Sequence, residues 1–210
     1  MEISKLKAVI FDCDGVLFDT ARSNRKFYNE VLAAFGKPEL SGAQFVQVHM
    51  MTVGAAIAYL FPDMSDPGPV YAKIKEIGYA KFIPYMQMEA GLEPLLAAIR
   101  KKKLIPGIAT NRTNTMAGVL EENKLTAAFD IVVTAADVAR PKPAPDQLEK
   151  IMAALNLCPD QIVFIGDSEY DEQAARAAGT WFVAFKQPRL SARIHVGSMS
   201  DLGKLLRVNE

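Results

Sequence analysis

The chain has 210 residues, of which half are hydrophobic and 23% are charged. This composition suits one domain, or a core domain with a smaller inserted one, and excludes a wholly disordered chain. The 24 basic and 24 acidic residues cancel, so no overall field attracts nucleic acid or an anionic membrane. Two cysteines are too few for a disulfide framework, and no apolar run approaches the roughly 20 residues that span a bilayer. We expect a soluble, cytoplasmic protein with neither nucleic acid nor membrane as a partner.

Five short apolar segments are predicted to be β-strands, at residues 6–12, 104–110, 130–134, 161–167 and 180–185. Each is nearly continuous in apolar residues, as is typical of strands buried on both faces of a parallel sheet. Helical patterns alternate with these segments, at residues 91–102, 113–123, 144–156 and 169–178. The alternation predicts a doubly wound, Rossmann-like α/β fold with a parallel sheet.

Residues 21–89 interrupt this alternation. They contain no convincing strand, and turn-forming segments with glycine and proline separate three predicted helices, over residues 22–35, 43–61 and 70–85. We therefore predict a small helical bundle at residues 21–89, inserted into an α/β core that consists of residues 1–20 and 90–210.

Two acidic residues, Asp12 and Asp14, follow the first predicted strand in the sequence FDCDGVLFDT. They are two positions apart, so in an extended chain both side chains project to the same side. Their mutual repulsion requires a cation between them or the protonation of one acid, and Gly15 permits a sharp turn directly afterwards. The pattern indicates a hard-cation site with a spare acid beside it, although a solvated acidic turn shares the same short motif.

Polar residues also follow the second and third predicted strands. Thr110 and Asn111 carry a hydroxyl and an amide, which suit either phosphate oxygens or the cap of the next helix. Lys142 lies in the proline-rich sequence RPKPAPD. The prolines either hold this lysine at a fixed place or form a turn that leaves it exposed.

The fourth predicted strand ends at Asp167, and Asp171 lies four residues later in the sequence GDSEYDEQ. Positions four apart share one face of a helix, so Asp171 is placed to support Asp167, although Asp167 also suits a helix cap. The carboxyl ends of parallel strands meet at one edge of the sheet. The acids, the hydroxyl and the lysine are therefore predicted to converge there, as Mg²⁺ ligands, phosphate donors and a charge neutraliser.

The motifs DxDGVxxDT, ATN, KPxPD and GDSxxD, in this order, resemble those of the haloacid dehalogenase-like (HAD) superfamily, in its phosphatase-type branch of phosphoglycolate phosphatases and β-phosphoglucomutases. The resemblance extends from Lys5 to Gly179. It implies an enzyme, a Mg²⁺-dependent phosphatase that acts on a small phosphorylated metabolite through an aspartyl phosphate. The insertion resembles a C1-type cap, which would close over the active site and choose the substrate.

The resemblance also implies a role for each motif residue. Asp12 would be the nucleophile and Asp14 the general acid and base, while Thr110 and Lys142 would hold the transferring phosphoryl group beside Asn111. The Mg²⁺ ligands would be Asp12, Asp167 and the backbone carbonyl of Asp14, with Asp171 behind them.

Two other functions remain compatible with the sequence. A sugar-phosphate mutase of the same superfamily would use the same motifs and pass the phosphoryl group to a bound sugar instead of water. A non-catalytic regulatory domain would retain the fold but carry a damaged site, and no catalytic position in this chain is damaged.

Overall fold

The computed structural model describes residues 1–49 and 51–208; Met50, Asn209 and Glu210 lie outside the described residues. The chain forms two compact units. The first consists of Met1–Asp19 and the chain from Gln87 onward, and the second consists of Thr20–Met86. The predicted insertion, residues 21–89, differs from the second unit by one residue at its start and three at its end.

The first unit contains a parallel six-stranded sheet and a small antiparallel pair of strands. In chain order the strands are β1 (Ala8–Phe11), β2 (Phe18–Asp19), β3 (Gln87–Met88), β4 (Ile105–Thr110), β5 (Ile131–Thr134), β6 (Ile162–Gly166), β7 (Trp181–Phe185) and β8 (His195–Val196). The large sheet has the order β5-β4-β1-β6-β7-β8, and β2 pairs with β3. The chain leaves β1 toward one side and later returns to its other side at β6, which makes the carboxyl end of β1 a topological switch point.

Helices account for most of the remaining regular structure. In chain order they are α1 (Ala21–Ala34), α2 (Gly42–His49), α3 (Val53–Leu60), α4 (Gly68–Ile77), α5 (Leu92–Lys101), α6 (Met116–Glu122), α7 (Asp146–Leu155), α8 (Glu169–Ala178) and α9 (Met199–Leu205). Within the described part of the chain, none of these helices has the length and apolar character needed to cross a bilayer.

The sequence-based assignment of the first unit is confirmed. All five predicted strands are present within two residues of their expected bounds, and all four predicted helices within three. Every residue of β1 and β6 is buried, which explains why these segments are continuous apolar runs without alternation. The two-residue strands β2, β3 and β8 and the helix α9 were not predicted, and a two-residue strand is too short to show a period.

The second unit is a helical bundle with an aromatic core. The rings of Phe27, Tyr28, Tyr79 and Phe82 pack against one another, with the centroid of Phe27 between 5.1 and 5.6 Å from the other three. Aliphatic side chains from α1, α3 and α4 complete this cluster. The helices therefore enclose a hydrophobic core of their own.

Two predicted helices of the second unit were wrong in extent. The expected helix over residues 43–61 consists of α2 and α3, because the side chain of Thr52 accepts a hydrogen bond from the backbone N–H of Ala55 (3.3 Å) and starts a new helix there. The expected helix over residues 70–85 ends at Ile77, where Gly78 adopts a positive φ of 64°. A 3₁₀ helix, Ala80–Tyr85, covers the remainder.

Candidate active site

The central strands of the sheet bring three of the predicted site residues to one edge. Asp12 directly follows β1, Thr110 ends β4 and Asp167 directly follows β6. The backbone N–H of Asp12 donates to the carbonyl of Ile165 (2.9 Å), which continues the pairing of β1 with β6 by one residue. As a result, carboxylate oxygens of Asp12, Asp167 and Asp171 all lie within 4.8 Å of one another.

Lys142 reaches this carboxylate cluster from the proline-rich segment. Its Nζ lies 2.8 Å from Asp12 Oδ1 and 2.6 Å from Asp171 Oδ1, and it donates to the carbonyl of Ala109 at 3.0 Å. The residue is only 5% exposed, so it is not an exposed lysine in a turn. Burial by itself lowers the pKa of Lys142, but the charges of Asp12 and Asp171 outweigh this effect and raise the pKa overall. The lysine is therefore a cation held inside the protein.

Burial raises the pKa values of two acids in the cluster. The pKa of Asp12 rises to about 7, because desolvation and the charges of Asp171 and Asp14 outweigh the attraction of Lys142. The pKa of Asp167 rises to about 8, chiefly through desolvation and then through the charges of Asp12 and Asp171. Without a further cation, these acids therefore resist ionisation at neutral pH.

The donor set fits a hard divalent cation. Asp12 Oδ1 is buried and has no hydrogen-bond partner among the described residues, although the ammonium of Lys142 forms an ion pair with it at 2.8 Å. With all four carboxylates ionised, the cluster has a formal charge of −2, from Asp12, Asp14, Asp167, Asp171, Arg112 and Lys142. A divalent cation would neutralise this charge and would bind Asp12 Oδ1.

Two glycines make the close approach of these motifs possible. Gly15 has a φ of +77°, and a Cβ atom at this position would collide with Oδ2 of Asp167. A Cβ atom on Gly166 would collide with the side chain of Asp171. The motifs DxDG and GDSxxD therefore require glycine at these two positions for packing, and Gly15 is required for the turn as well.

Asp171 organises the start of α8. Its Oδ2 accepts hydrogen bonds from the backbone N–H groups of Asp167 (3.2 Å) and Ser168 (3.0 Å) and from the Ser168 hydroxyl (2.6 Å). Its Oδ1 contacts Lys142, so both oxygens already have protein partners. The place of Asp171 behind the metal ligands stays a prediction, and its contact with Lys142 was not anticipated.

The side chain of Asn111 forms hydrogen bonds to the protein backbone. Its Nδ2 donates to the carbonyl of Lys142 (2.9 Å), and its Oδ1 accepts from the N–H of the same residue (3.1 Å). Thr110 is buried, and its hydroxyl oxygen accepts from the backbone N–H of Arg112 (3.2 Å). The expected contact of Asn111 with substrate stays a prediction, and its amide ties the segment after β4 to the segment that carries Lys142.

Sequence reasoning did not single out Gln147, which belongs to the same connection. This residue is fully buried, accepts a hydrogen bond from the N–H of Lys142 (3.2 Å) and donates one to the carbonyl of Thr110 (2.6 Å). A signal was present, because Gln147 shares the buried side of α7 with Leu148 and Ile151. An uncharged polar side chain at a core position needs a buried hydrogen-bonding partner.

Arg112 is the second residue whose contact was not predicted. Its Nε and Nη2 donate to Oδ1 of Asp14 at 3.1 and 2.7 Å, and its Nη1 donates to the hydroxyl of Thr115 at 3.1 Å. The only sequence signal is a cation two residues after Thr110, and nothing in that position indicates Asp14 as its partner.

Comparison with known sequences identifies the family. The sequence profile of haloacid dehalogenase-like hydrolases matches residues 9–185. N-acetylmuramic acid 6-phosphate phosphatase from Pseudomonas aeruginosa is 30% identical over 185 residues, a region that covers 86% of this chain and 81% of that protein.

Solved structures agree with this result. A HAD-superfamily hydrolase of subfamily IA, variant 1, from Geobacter sulfurreducens is 36% identical and superposes with a TM-score of 0.84 over 96% of this chain and 97% of that one. A putative phosphoglycolate phosphatase from Lactobacillus plantarum is 25% identical, with a TM-score of 0.82 over 95% of this chain and 99% of that one. Together with the profile match, these similarities show that the chain belongs to the haloacid dehalogenase-like hydrolases and is a phosphohydrolase of that family.

Proposed function

We propose that this chain is a Mg²⁺-dependent phosphatase that hydrolyses a small phosphorylated metabolite through a phosphoryl group carried on Asp12. The observation that carries the proposal is the buried cluster of Asp12, Asp167 and Asp171 around the buried cation Lys142. Two of the similar proteins described above bear the names of phosphatases, one for N-acetylmuramic acid 6-phosphate and one, a putative enzyme, for phosphoglycolate. These names support the substrate class.

In the first chemical step, a carboxylate oxygen of Asp12 attacks phosphorus and the bond from phosphorus to the ester oxygen breaks. Asp14 donates a proton to the departing oxygen, so that the alcohol leaves without a charge. In the second step, Asp14 accepts a proton from water, which attacks the phosphoryl group on Asp12. Inorganic phosphate leaves and the Asp12 carboxylate is restored, so two easier displacements replace a single hard one.

The buried side chains around Asp12 serve this chemistry through their charge. Lys142 faces Asp12 at 2.8 Å and would neutralise charge on the transferring phosphoryl oxygens, with the Thr110 hydroxyl as a further donor. Asp12, Asp167 and the backbone carbonyl of Asp14 would hold Mg²⁺. When bound, the ion supplies further neutralisation of the phosphoryl oxygens.

The helical unit, Thr20–Met86, is proposed to act as the cap that selects the substrate. Its separate hydrophobic core supports this assignment, because it marks the helices as a compact unit distinct from the sheet. Apart from Thr20, the last residue of the motif DxDGVxxDT, the four motifs of the site lie outside it.

The substitution Asp12→Asn tests the proposal. The amide is a far weaker nucleophile, so release of inorganic phosphate from a panel of sugar, glycolate and nucleoside phosphates should cease while the protein stays folded. Asp130→Asn provides the matched control, because Asp130 is an exposed acid paired with Arg100 (3.0 Å) and lies before β5 instead of at the carboxyl edge. Phosphate release by Asp12→Asn at the wild-type rate would contradict the mechanism. Conversion of a sugar phosphate to its isomer without phosphate release would support the mutase alternative.

A further inference from the structure

The carboxylate of Asp14 is held at one oxygen only. Oδ1 accepts both hydrogen bonds from Arg112, through Nε at 3.1 Å and Nη2 at 2.7 Å. Among the described residues these are the hydrogen bonds that reach this carboxylate, so they leave Oδ2 without one. The side chain of Asp14 is 41% exposed, whereas that of Arg112 is 8% exposed. A partly exposed acid is therefore fixed by a buried cation.

Arg112 is itself anchored on three sides. Its Nη1 donates to Thr115 Oγ1 (3.1 Å), its backbone N–H donates to Thr110 Oγ1 (3.2 Å), and its carbonyl accepts from the N–H of Ala135 (3.0 Å). The guanidinium is planar, and its N–H groups have fixed directions relative to one another. These contacts fix Arg112 relative to the ends of β4 and β5. Arg112 in turn fixes the orientation of the Asp14 side chain.

We propose that Arg112 is the positioning residue for Asp14 in phosphoryl transfer. It anchors Oδ1 and leaves Oδ2 free to exchange a proton with the leaving-group oxygen and then with water. This inference rests on the proposed function, in which Asp14 is the general acid and base. It assigns Arg112 no contact with the phosphoryl group, because all three nitrogens of its guanidinium already donate to the protein.

The need for an anchor follows from the exposure of Asp14. A general acid must lie within hydrogen-bond reach of the oxygen that it protonates, and an exposed side chain samples several rotamers. Misplacement of a reacting group by about 1 Å can lower a rate by about 10²-fold. Loss of Arg112 should therefore slow the step that needs the acid and spare a step that does not.

The leaving group separates this role from a purely structural one. An alkyl phosphate releases a poor leaving group and depends on protonation by Asp14, whereas p-nitrophenyl phosphate releases a stable phenolate and needs little protonation. Rapid-quench measurement of the first step with both esters reports the acid alone. In Arg112→Met we expect the alkyl rate to fall by about 10- to 100-fold. The p-nitrophenol burst should change much less, and KM should stay near that of the wild type.

Four further variants, one of them a double variant, complete the experiment. Arg112→Lys retains the charge but loses the fork of donors, so its alkyl rate should lie between those of the wild type and Arg112→Met. Arg100→Met is the matched control, because it removes another Arg–Asp pair (3.0 Å) at the end of α5, and neither ester should respond. In Asp14→Asn the alkyl rate should already be low, and adding Arg112→Met should lower it little further because the two residues act as a unit.

Equal slowing of the alkyl and aryl esters in Arg112→Met would overturn the inference, as would full additivity with Asp14→Asn. If Arg112→Met does not fold, the ratio of alkyl to aryl rates in Arg112→Lys decides the question, and an unchanged ratio overturns the inference. The proposed function fails separately, if Asp14→Asn itself shows no dependence on the leaving group. A dependence in Asp14→Asn but not in the Arg112 variants refutes the positioning role alone.

Discussion

The two units of the molecule bury different kinds of side chain. In the sheet unit, the carboxyl edge holds a set of buried polar and charged side chains, namely Asp12, Thr110, Lys142, Gln147 and Asp171. In the helical unit, the buried polar residues Thr20 and Ser23 are uncharged, and the core consists of aromatic and aliphatic side chains grouped around Phe27. The sheet unit thus retains buried charges that are costly unless paired, whereas the helical unit is stabilised by apolar burial and ring packing. Stability and reactivity are accordingly expected to respond to different substitutions in the two units.

The substitution Lys142→Met should have the largest effect. It removes the buried cation that faces Asp12 and Asp171, and loss of a charge that stabilises phosphoryl transfer is worth about 10³- to 10⁵-fold in kcat. Breaking a buried ion pair also costs about 3–5 kcal/mol. Phosphate release and the free energy of unfolding would be measured beside Lys150→Met, which removes an exposed lysine that lies 3.9 Å from an acid. Equal losses of phosphate release and of unfolding free energy in the two variants would contradict the expectation that the buried charge matters more than the exposed one.

The substitution Phe27→Ala tests the apolar core of the helical unit. It deletes a ring that contacts three other aromatic rings, and such deletions typically cost about 3–5 kcal/mol. We expect a lower unfolding temperature by calorimetry but an unchanged Mg²⁺ affinity at temperatures where the protein is folded. Tyr71→Ala is the control, because Tyr71 is an exposed aromatic residue of the same unit. A loss of Mg²⁺ binding in folded Phe27→Ala would show that the two units are not independent in this respect.

Stability should also depend on pH and on Mg²⁺. The folded-state pKa values of Asp12 and Asp167 are raised to about 7 and about 8. The folded protein therefore binds more protons than the unfolded chain between about pH 4 and pH 8, and its stability falls as the pH rises through this range. Thermal unfolding of the metal-free protein should show this decline, and Asp167→Asn should flatten it.

Mg²⁺ should counteract the same decline by mass action, with a stabilisation of about 2.7 kcal/mol at 100 times its dissociation constant. Because protons compete for the same carboxylates, the increase in melting temperature should be larger at pH 8 than at pH 6. Equal increases at both pH values, or none in calorimetry, would contradict the assignment of the metal site.

The substitution Gln147→Leu should have the smallest effect. It leaves the carbonyl of Thr110 without its donor, while Asn111 still serves the N–H of Lys142. A buried group without its partner costs about 1–3 kcal/mol. Since the amide positions phosphate-binding segments instead of the acid, alkyl and aryl esters should slow equally, in contrast to Arg112→Met. Gln161→Leu, remote from the site in a 3₁₀ helix, serves as the control.

Local patterns in the sequence were sufficient to predict five strands and four helices of the sheet unit and the residues that lie at its carboxyl edge. The strands are continuous apolar runs, and parallel topology alone brings Asp12, Thr110 and Asp167 to one edge. The Arg112–Asp14 pair, by contrast, joins residues 98 positions apart. No periodicity or motif encodes such a contact, which depends on the register of β1 beside β4.

The helical unit was harder to predict for a different reason. Apolar residues continue across residues 43–61 at helical spacing, so the pattern favoured one continuous helix. The break depends on a single cap, Thr52, whose signal is weak beside the long apolar pattern. The 3₁₀ helix at Ala80–Tyr85 contains Pro84, which ends regular α-helix and was a signal that the sequence-based assignment passed over.

The contacts around Gly15 and Gly166 have a consequence for recognising inactive relatives of this chain. A methyl group at either position collides with a carboxylate of the site, so Gly15→Ala or Gly166→Ala would displace Asp167 or Asp171 without altering a single charged residue. A homologue that retains every aspartate and the lysine but carries alanine at position 15 or 166 would therefore have lost its enzymatic activity. A search for degenerate enzymes that scores only the charged residues would classify such a chain as active.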